Sequence, residues 1–116
     1  MLTRLACSLL ALLLIIAPAR GGEAFVEGFE DLPLAPGLVN LPEAGTGFDK
    51  PTGRIVVAYA SGKTSRAAVE KFYSSTLPQL GWTREGNAYL REGEKLTIEI
   101  LGGQGGVTVR YTLAPI

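Results

Sequence analysis

Apolar and polar residues alternate strictly in two stretches of the chain. In Lys95–Leu101, Leu96, Ile98 and Ile100 alternate with Lys95, Thr97 and Glu99; in Val107–Leu113, Val107, Val109, Tyr111 and Leu113 alternate with Thr108, Arg110 and Thr112. Successive side chains of a strand point to opposite faces, so each stretch predicts a strand with one oily face. A slip of one residue would turn the whole apolar set to water. Facing residues therefore have odd index sums, such as Ile98 with Val109 or Tyr111. The run Gly102-Gly103-Gln104-Gly105-Gly106 between the two is the hairpin loop. Trp82–Glu85 and Ala88–Arg91 predict two shorter strands, set off by turns at Gly86 and Gly93.

Upstream the pattern changes. Gly53–Ser61 carries Ile55, Val56, Val57 and Tyr59 with Ala58 and Ala60 between them, a strand apolar on both faces that needs cover on both. From Val69, Phe72, Tyr73, Thr76, Leu77 and Leu80 follow at the i, i+3, i+4, i+7, i+8, i+11 spacing of one helical face, apolar except for Thr76. Thr64 or Ser65 caps its start with a hydroxyl, and Gly81, after the strain of Pro78, ends it as a left-handed cap. The stretch 20–52 holds Pro33, Pro36, Pro42 and Pro51, a density that forbids a helix and disfavours a central strand. Phe25, Val26, Phe29, Leu32 and Leu34 make it too apolar for a solvated linker. It is expected to be an extended arm lying on the domain and covering the second face of 53–61, a task a dimer contact would serve equally. The predicted fold is α+β: one helix packed on an antiparallel sheet of about five strands, in the order β-α-β-β-β-β, behind an extended Pro-rich arm. The expected division is 1–19, 20–52 and 53–116.

The first of these segments reads as an address. Arg4 precedes Leu5–Ala17, a run too short for the roughly 20 apolar residues of a membrane span and suited to the core of a signal peptide. Ala17-Pro18-Ala19 fits the small-x-small pattern for cleavage after Ala19, with Ala24 a second site. The alternatives are an uncleaved N-terminal anchor and lipid attachment at Cys7, but Arg4 stands where a lipid-attachment motif wants an aliphatic residue. A periplasmic or secreted protein with no stable membrane span after cleavage is expected.

Composition changes the picture only once that segment is set aside. The 116 residues carry 11 basic and 11 acidic side chains and are 47% hydrophobic, but much of that apolar content is Leu5–Ala17. Arg4 leaves with the signal, so residues 20–116 hold one acid more than base. That balance gives no sign of nucleic-acid binding. The chain has no His, and its single Cys is Cys7. After cleavage a Ser-His-Asp triad, a Cys nucleophile and His- or thiolate-bound zinc are excluded, and no disulfide staples the core.

What remains is weak as chemistry. Gly62-Lys63-Thr64 sits between strand and helix like the end of a phosphate-binding loop, but the first glycine of such a loop would fall at Val57, so no nucleotide is expected. Glu92 and Glu94 flank Gly93 in a turn, and Glu27, Glu30 and Asp31 cluster in the arm. Neither has the deep cleft of a carboxylate-pair hydrolase, and the second lacks the alternating oxygens of a calcium loop. Arg84, Arg91, Lys95 and Arg110 are interspersed with Glu85, Glu92, Glu94 and Glu99 as a mixed solvated face. No cofactor and no metal are expected, and the protein is read as a non-enzyme.

Two stretches are familiar. Asp31-Leu-Pro-Leu-Ala-Pro-Gly37 resembles the lP-x-x-PG opening of small exported bacterial domains of unknown function, often lipoproteins or hypothetical secreted proteins. Phe72-Tyr-Ser-Ser-Thr-Leu-Pro-Gln-Leu-Gly-Trp82 is similar to the F-Y-x-x-x-L-P-x-x-G-W that ends their helix. The resemblance spans roughly 30–115. It implies the same fold and compartment and names no catalytic residue; Phe72, Leu77 and Trp82 look like core.

The functional expectation is a small exported non-enzymatic module that contacts other proteins of the bacterial envelope through the arm and an exposed sheet edge. The alternative is a carrier of a small apolar ligand held between helix and sheet. Candidate surface residues are Phe29 and Leu34 in the arm, Tyr73 and Trp82 at the helix, and Tyr89, whose parity opposite to Leu90 is expected to aim it at the polar face.

Overall fold

A computed structural model describes residues 24–50, 53–103 and 105–116. The expected signal peptide, 1–19, and Cys7 lie outside these residues. Among the described residues no helix is long and apolar enough to cross a membrane.

Among the described residues, seven strands form one antiparallel sheet: β1 (Leu38–Asn40), β2 (Thr46–Lys50), β3 (Gly53–Gly62), β4 (Thr83–Glu85), β5 (Ala88–Arg91), β6 (Glu94–Gly103) and β7 (Gly106–Pro115). One helix, α1 (Arg66–Thr76), separates β3 from β4. The spatial order is β1-β3-β7-β6-β5-β4, with β2 also on β3. The α+β class holds, but the sheet has seven strands rather than five. The chain order is β-β-β-α-β-β-β-β.

The two additional strands come from the supposed arm. The prolines exclude strand only at their own positions, since a Pro lacks the N–H a ladder needs. Between Pro36 and Pro42, and between Pro42 and Pro51, enough chain remains for strands of three and five residues. Both attach to the same edge of β3: Leu38↔Gly62 to Asn40↔Ala60 at one end, Thr46↔Val57 to Lys50↔Gly53 at the other. Pro42 occupies the short 3-10 turn (Pro42–Ala44) between them, where its missing N–H costs nothing. The second half of the arm is thus part of the sheet and not a layer on it.

Its first half packs on the face that also carries α1. Val26, Phe29, Leu32, Ala35 and Leu38 are buried with Ala58 and Ala60 of β3, Val109, Tyr111 and Leu113 of β7, and Val69, Tyr73 and Leu77 of the helical segment. Full burial of a Leu or Val side chain is worth about 1.5–3 kcal/mol, so this half of the arm stabilises the domain as strongly as the helix face does. Among the described residues, the arm therefore does not supply the expected cover of the second face of β3. Ile55, Val57 and Tyr59 are half-buried, and beside them Phe48 and Val39 are exposed at 55% and 59%.

The alternation rule holds in detail. Ile98 faces Tyr111 and Ile100 faces Val109. Pairing continues to Gly103↔Gly106, tighter than the five-residue loop the sequence suggests. Helix capping follows the expected chemistry: Ser65 Oγ accepts from the Ala68 amide at 3.1 Å, and Gly81, at φ 96°, lets the Trp82 amide reach the Leu77 carbonyl at 3.1 Å.

Candidate functional site

The described residues offer three places where polar chemistry meets structure. The first is inside. Tyr73 projects from α1 onto the sheet, and its hydroxyl has three partners: it donates to the Pro33 carbonyl at 2.8 Å, accepts from the Ala35 amide at 3.2 Å, and lies 2.8 Å from the Tyr111 hydroxyl. A phenol has one proton, so with that proton on Pro33 the Tyr111 hydroxyl must donate. The rings meet edge to face at 5.8 Å, and Phe29 packs on Tyr111 at 6.3 Å. One side chain thereby ties helix, sheet and arm together.

Burial raises both phenols: Tyr73 is pushed up to about 12, and Tyr111 higher still, because a phenolate there would lose its water and face its neighbour's charge. An unfolded tyrosine releases its proton near pH 10. Between about pH 10 and 12 the unfolded chain loses protons that the folded chain keeps. The unfolded state then binds fewer protons, so stability present below pH 10 falls as pH rises, by roughly 1.4 kcal/mol per phenol per pH unit. Urea unfolding followed from pH 8 to 11.5 should show this loss set in above pH 10, with a shallower slope in Tyr111→Phe. An unchanged slope in that variant would exclude the pair as its source.

The second place is Arg91. Its guanidinium reaches both oxygens of Asp31, at 2.9 and 3.3 Å, donates to the Leu80 carbonyl at 2.9 Å, and lies 4.2 Å over the Trp82 ring. The Asp31 contact raises the Arg91 pKa and fixes its charge. This corrects the reading of Arg91 as one of a solvated row: it clamps the arm to the end of the helix. Asn40 does similar work at the arm's start, accepting from the Glu27 amide and donating to the Phe25 carbonyl, each at 2.9 Å. Its buried side-chain amide stands in for a neighbouring strand. Neither residue carries a local sequence signal, because the arm partner of Arg91, Asp31, lies 60 positions away and the partners of Asn40 lie 13 and 15 away.

The third place is a cleft of about 310 Å3 between the first half of α1 and the outer strands. Val69, Ile98 and Ile100 line its floor with Tyr73 and Tyr89. Arg66 and Glu70 on the helix and Arg84 on β4 line its rim. Arg84 Nε donates to the Gly86 carbonyl at 3.0 Å, and its guanidinium lies 5.7 Å from the Tyr89 ring. Glu99 also borders the cleft, but its carboxylate is held by Arg110 Nε at 2.6 Å and lies below the usual acid range for that reason.

The five residues expected to line a ligand or partner surface do not come together at one place, and most are less exposed than expected. Phe29, Tyr73, Trp82 and Tyr89 are buried and Leu34 is half-buried. Tyr89 pairs with Leu96 and shares its inward face, so the expected outward aim is reversed. The error is one of polarity: the inward partner of Tyr89 on β4 is Arg84, and the outward Leu90 is only half-buried. Structure brings Tyr73 and Tyr89 together in the cleft, holds Phe29 on Tyr111, and sets Trp82 apart under Arg91. Among the described residues no group of three or more Asp and Glu side chains is placed to hold a metal.

Compared with known proteins, the chain matches no family model, and neither a curated protein nor a solved structure is significantly similar to it.

Proposed function

We propose that this is an exported, non-enzymatic module that works by binding other proteins in the bacterial envelope. The observation that carries this reading is the uncovered face of the sheet. Val39, Ser61, Thr108 and Leu101 form one row across it by successive pairing, and Phe48 sits opposite Ile55 at its other end. Val39, Phe48 and Leu101 are all exposed, which leaves apolar groups on a face that no other described residues of the chain cover. The short apolar run at 5–17 and the likeness to small exported domains support the compartment. The absence of His and of any Cys beyond Cys7 supports a binding role over catalysis.

A carrier of a small apolar ligand is less well served. The space between α1 and the centre of the sheet is filled by Val69, Tyr73, Leu96 and Tyr111, all nearly inaccessible. The cleft beside α1 is open to solvent and rimmed by charges.

The test is cross-linking in envelope extracts with the wild-type protein and with Phe48→Asp/Val57→Asp. The wild type should capture a partner that the variant, with unchanged melting temperature, loses. No captured partner, or equal capture by both proteins, would overturn the reading.

A further inference from the structure

β6 is ten residues long and β5 only four, and their pairing stops at Ala88↔Thr97. On its other side β6 is paired along its whole length with β7. Among the described residues, nothing hydrogen-bonds the β5-side edge of β6 from Ile98 to Gly103. Every second residue there turns its N–H and C=O away from β7 toward that vacancy. An edge of this kind is a template for another strand.

The vacancy coincides with the cleft. Ile98 and Ile100, the inward residues of the free edge, are on its floor with Val69 above them. A strand laid along Ile98–Leu101 would send every second side chain into this hollow, apolar only at its floor, whose roughly 310 Å3 can hold a large one. Inward neighbours two places away would pass the rim. With Glu99 held by Arg110, the rim offers Arg66 and Arg84 against Glu70, one positive charge in excess.

We infer that the free edge of β6 accepts an extended segment of a partner protein, which places a large apolar side chain on Val69, Ile98 and Ile100 and an acidic side chain, two positions away, at Arg66 and Arg84. Main-chain pairing supplies the attachment, and the cleft supplies the selection. The inference rests on the protein-binding reading above but uses a different surface.

The probe is a fluorescein-labelled octapeptide, Asp-Thr-Phe-Thr-Val-Thr-Asp-Thr, with two forms N-methylated at alternate residues along one backbone edge or the other. Binding by fluorescence polarisation should weaken at least tenfold for one methylated form and little for the other. Bound peptide should slow hydrogen exchange within Ile98–Gly103. Arg66→Glu/Arg84→Glu should weaken the acidic peptide at least tenfold and favour a version with lysine in place of aspartate. Equal tolerance of both methylated forms, or protection mapping to another surface, would overturn the inference. So would a dimer in sedimentation that protects Ile98–Gly103 without peptide, which gives the edge to a second copy. Binding of an anilinonaphthalene dye in the cleft with none of the peptide would give it instead to a small apolar ligand. If the peptide fails while partner capture still depends on Phe48 and Val57, only the edge site falls.

Discussion

Gly62→Ala should unfold much of the protein's margin of stability. Gly62 ends β3 opposite Leu38, and a Cβ there would collide with the Gly37 carbonyl: the oxygen lies inside any contact distance, and the carbon is 2.7 Å away. Leu38 Cα follows at 3.1 Å, so the obstacle is backbone that no rotamer change can move. Gly106 closes the other side, its own missing Cβ facing the Gly62 carbonyl at 2.7 Å. Relief requires β1 to leave β3. The expected cost is on the order of 3 kcal/mol or more, a large share of the roughly 5–15 kcal/mol typical of a domain. The melting temperature should fall by about 12–24 °C. Gly103→Ala, with nothing within 4 Å of the new methyl, is the matched control and should stay within about 0.5 kcal/mol of wild type. Equal melting of the two variants would refute the close approach.

Tyr73→Phe should cost nearly as much while changing almost no volume. It leaves the Pro33 carbonyl, the Ala35 amide and the Tyr111 hydroxyl without their shared partner. A buried polar group so stranded costs about 1–3 kcal/mol, and relaxation of the arm recovers some of it, giving about 2–4 kcal/mol in all. Tyr111→Phe removes a single donor and should cost about 1 kcal/mol. Hydrogen exchange separates this from simple repacking: the Ala35 amide should lose protection in Tyr73→Phe before the β6–β7 ladder does. If both tyrosine variants cost the same and the arm keeps its protection, the hydroxyl is not what holds it.

Local order made half of the fold legible. The alternation through β6 and β7, the helical spacing from Val69 to Leu80, Ser65 as cap and Gly81 as stop are all properties of a few consecutive residues. They are where the sequence reading and the structure agree. The arm was not legible, because β1 is three residues and β2 five, too short for a period to declare itself among four prolines. Their existence depends on β3 offering an edge. Tyr89 shows a different limit: on a four-residue strand, parity alone does not say which face is inward, and the nearest apolar neighbour pointed to the wrong one. The clamp by Arg91 and the shared hydroxyl of Tyr73 lie further still from sequence reading, since each joins residues about 40 to 60 positions apart.

The sheet order also sets a schedule. β7, which follows the other six described strands in chain order, lies between β3 and β6, and it carries Tyr111, Val109 and Leu113 into the centre of the core. Until Gly106–Pro115 is present, the two halves of the sheet have no common strand, and the arm has no Tyr111 to pack on. If the chain is exported N-terminus first, as proposed, the halves β1-β2-β3 and β4-β5-β6 would therefore stay unjoined until β7 emerged between them. On the export route proposed above, the topology that delays closure of the sheet would also keep its two halves apart while the chain crossed a narrow pore.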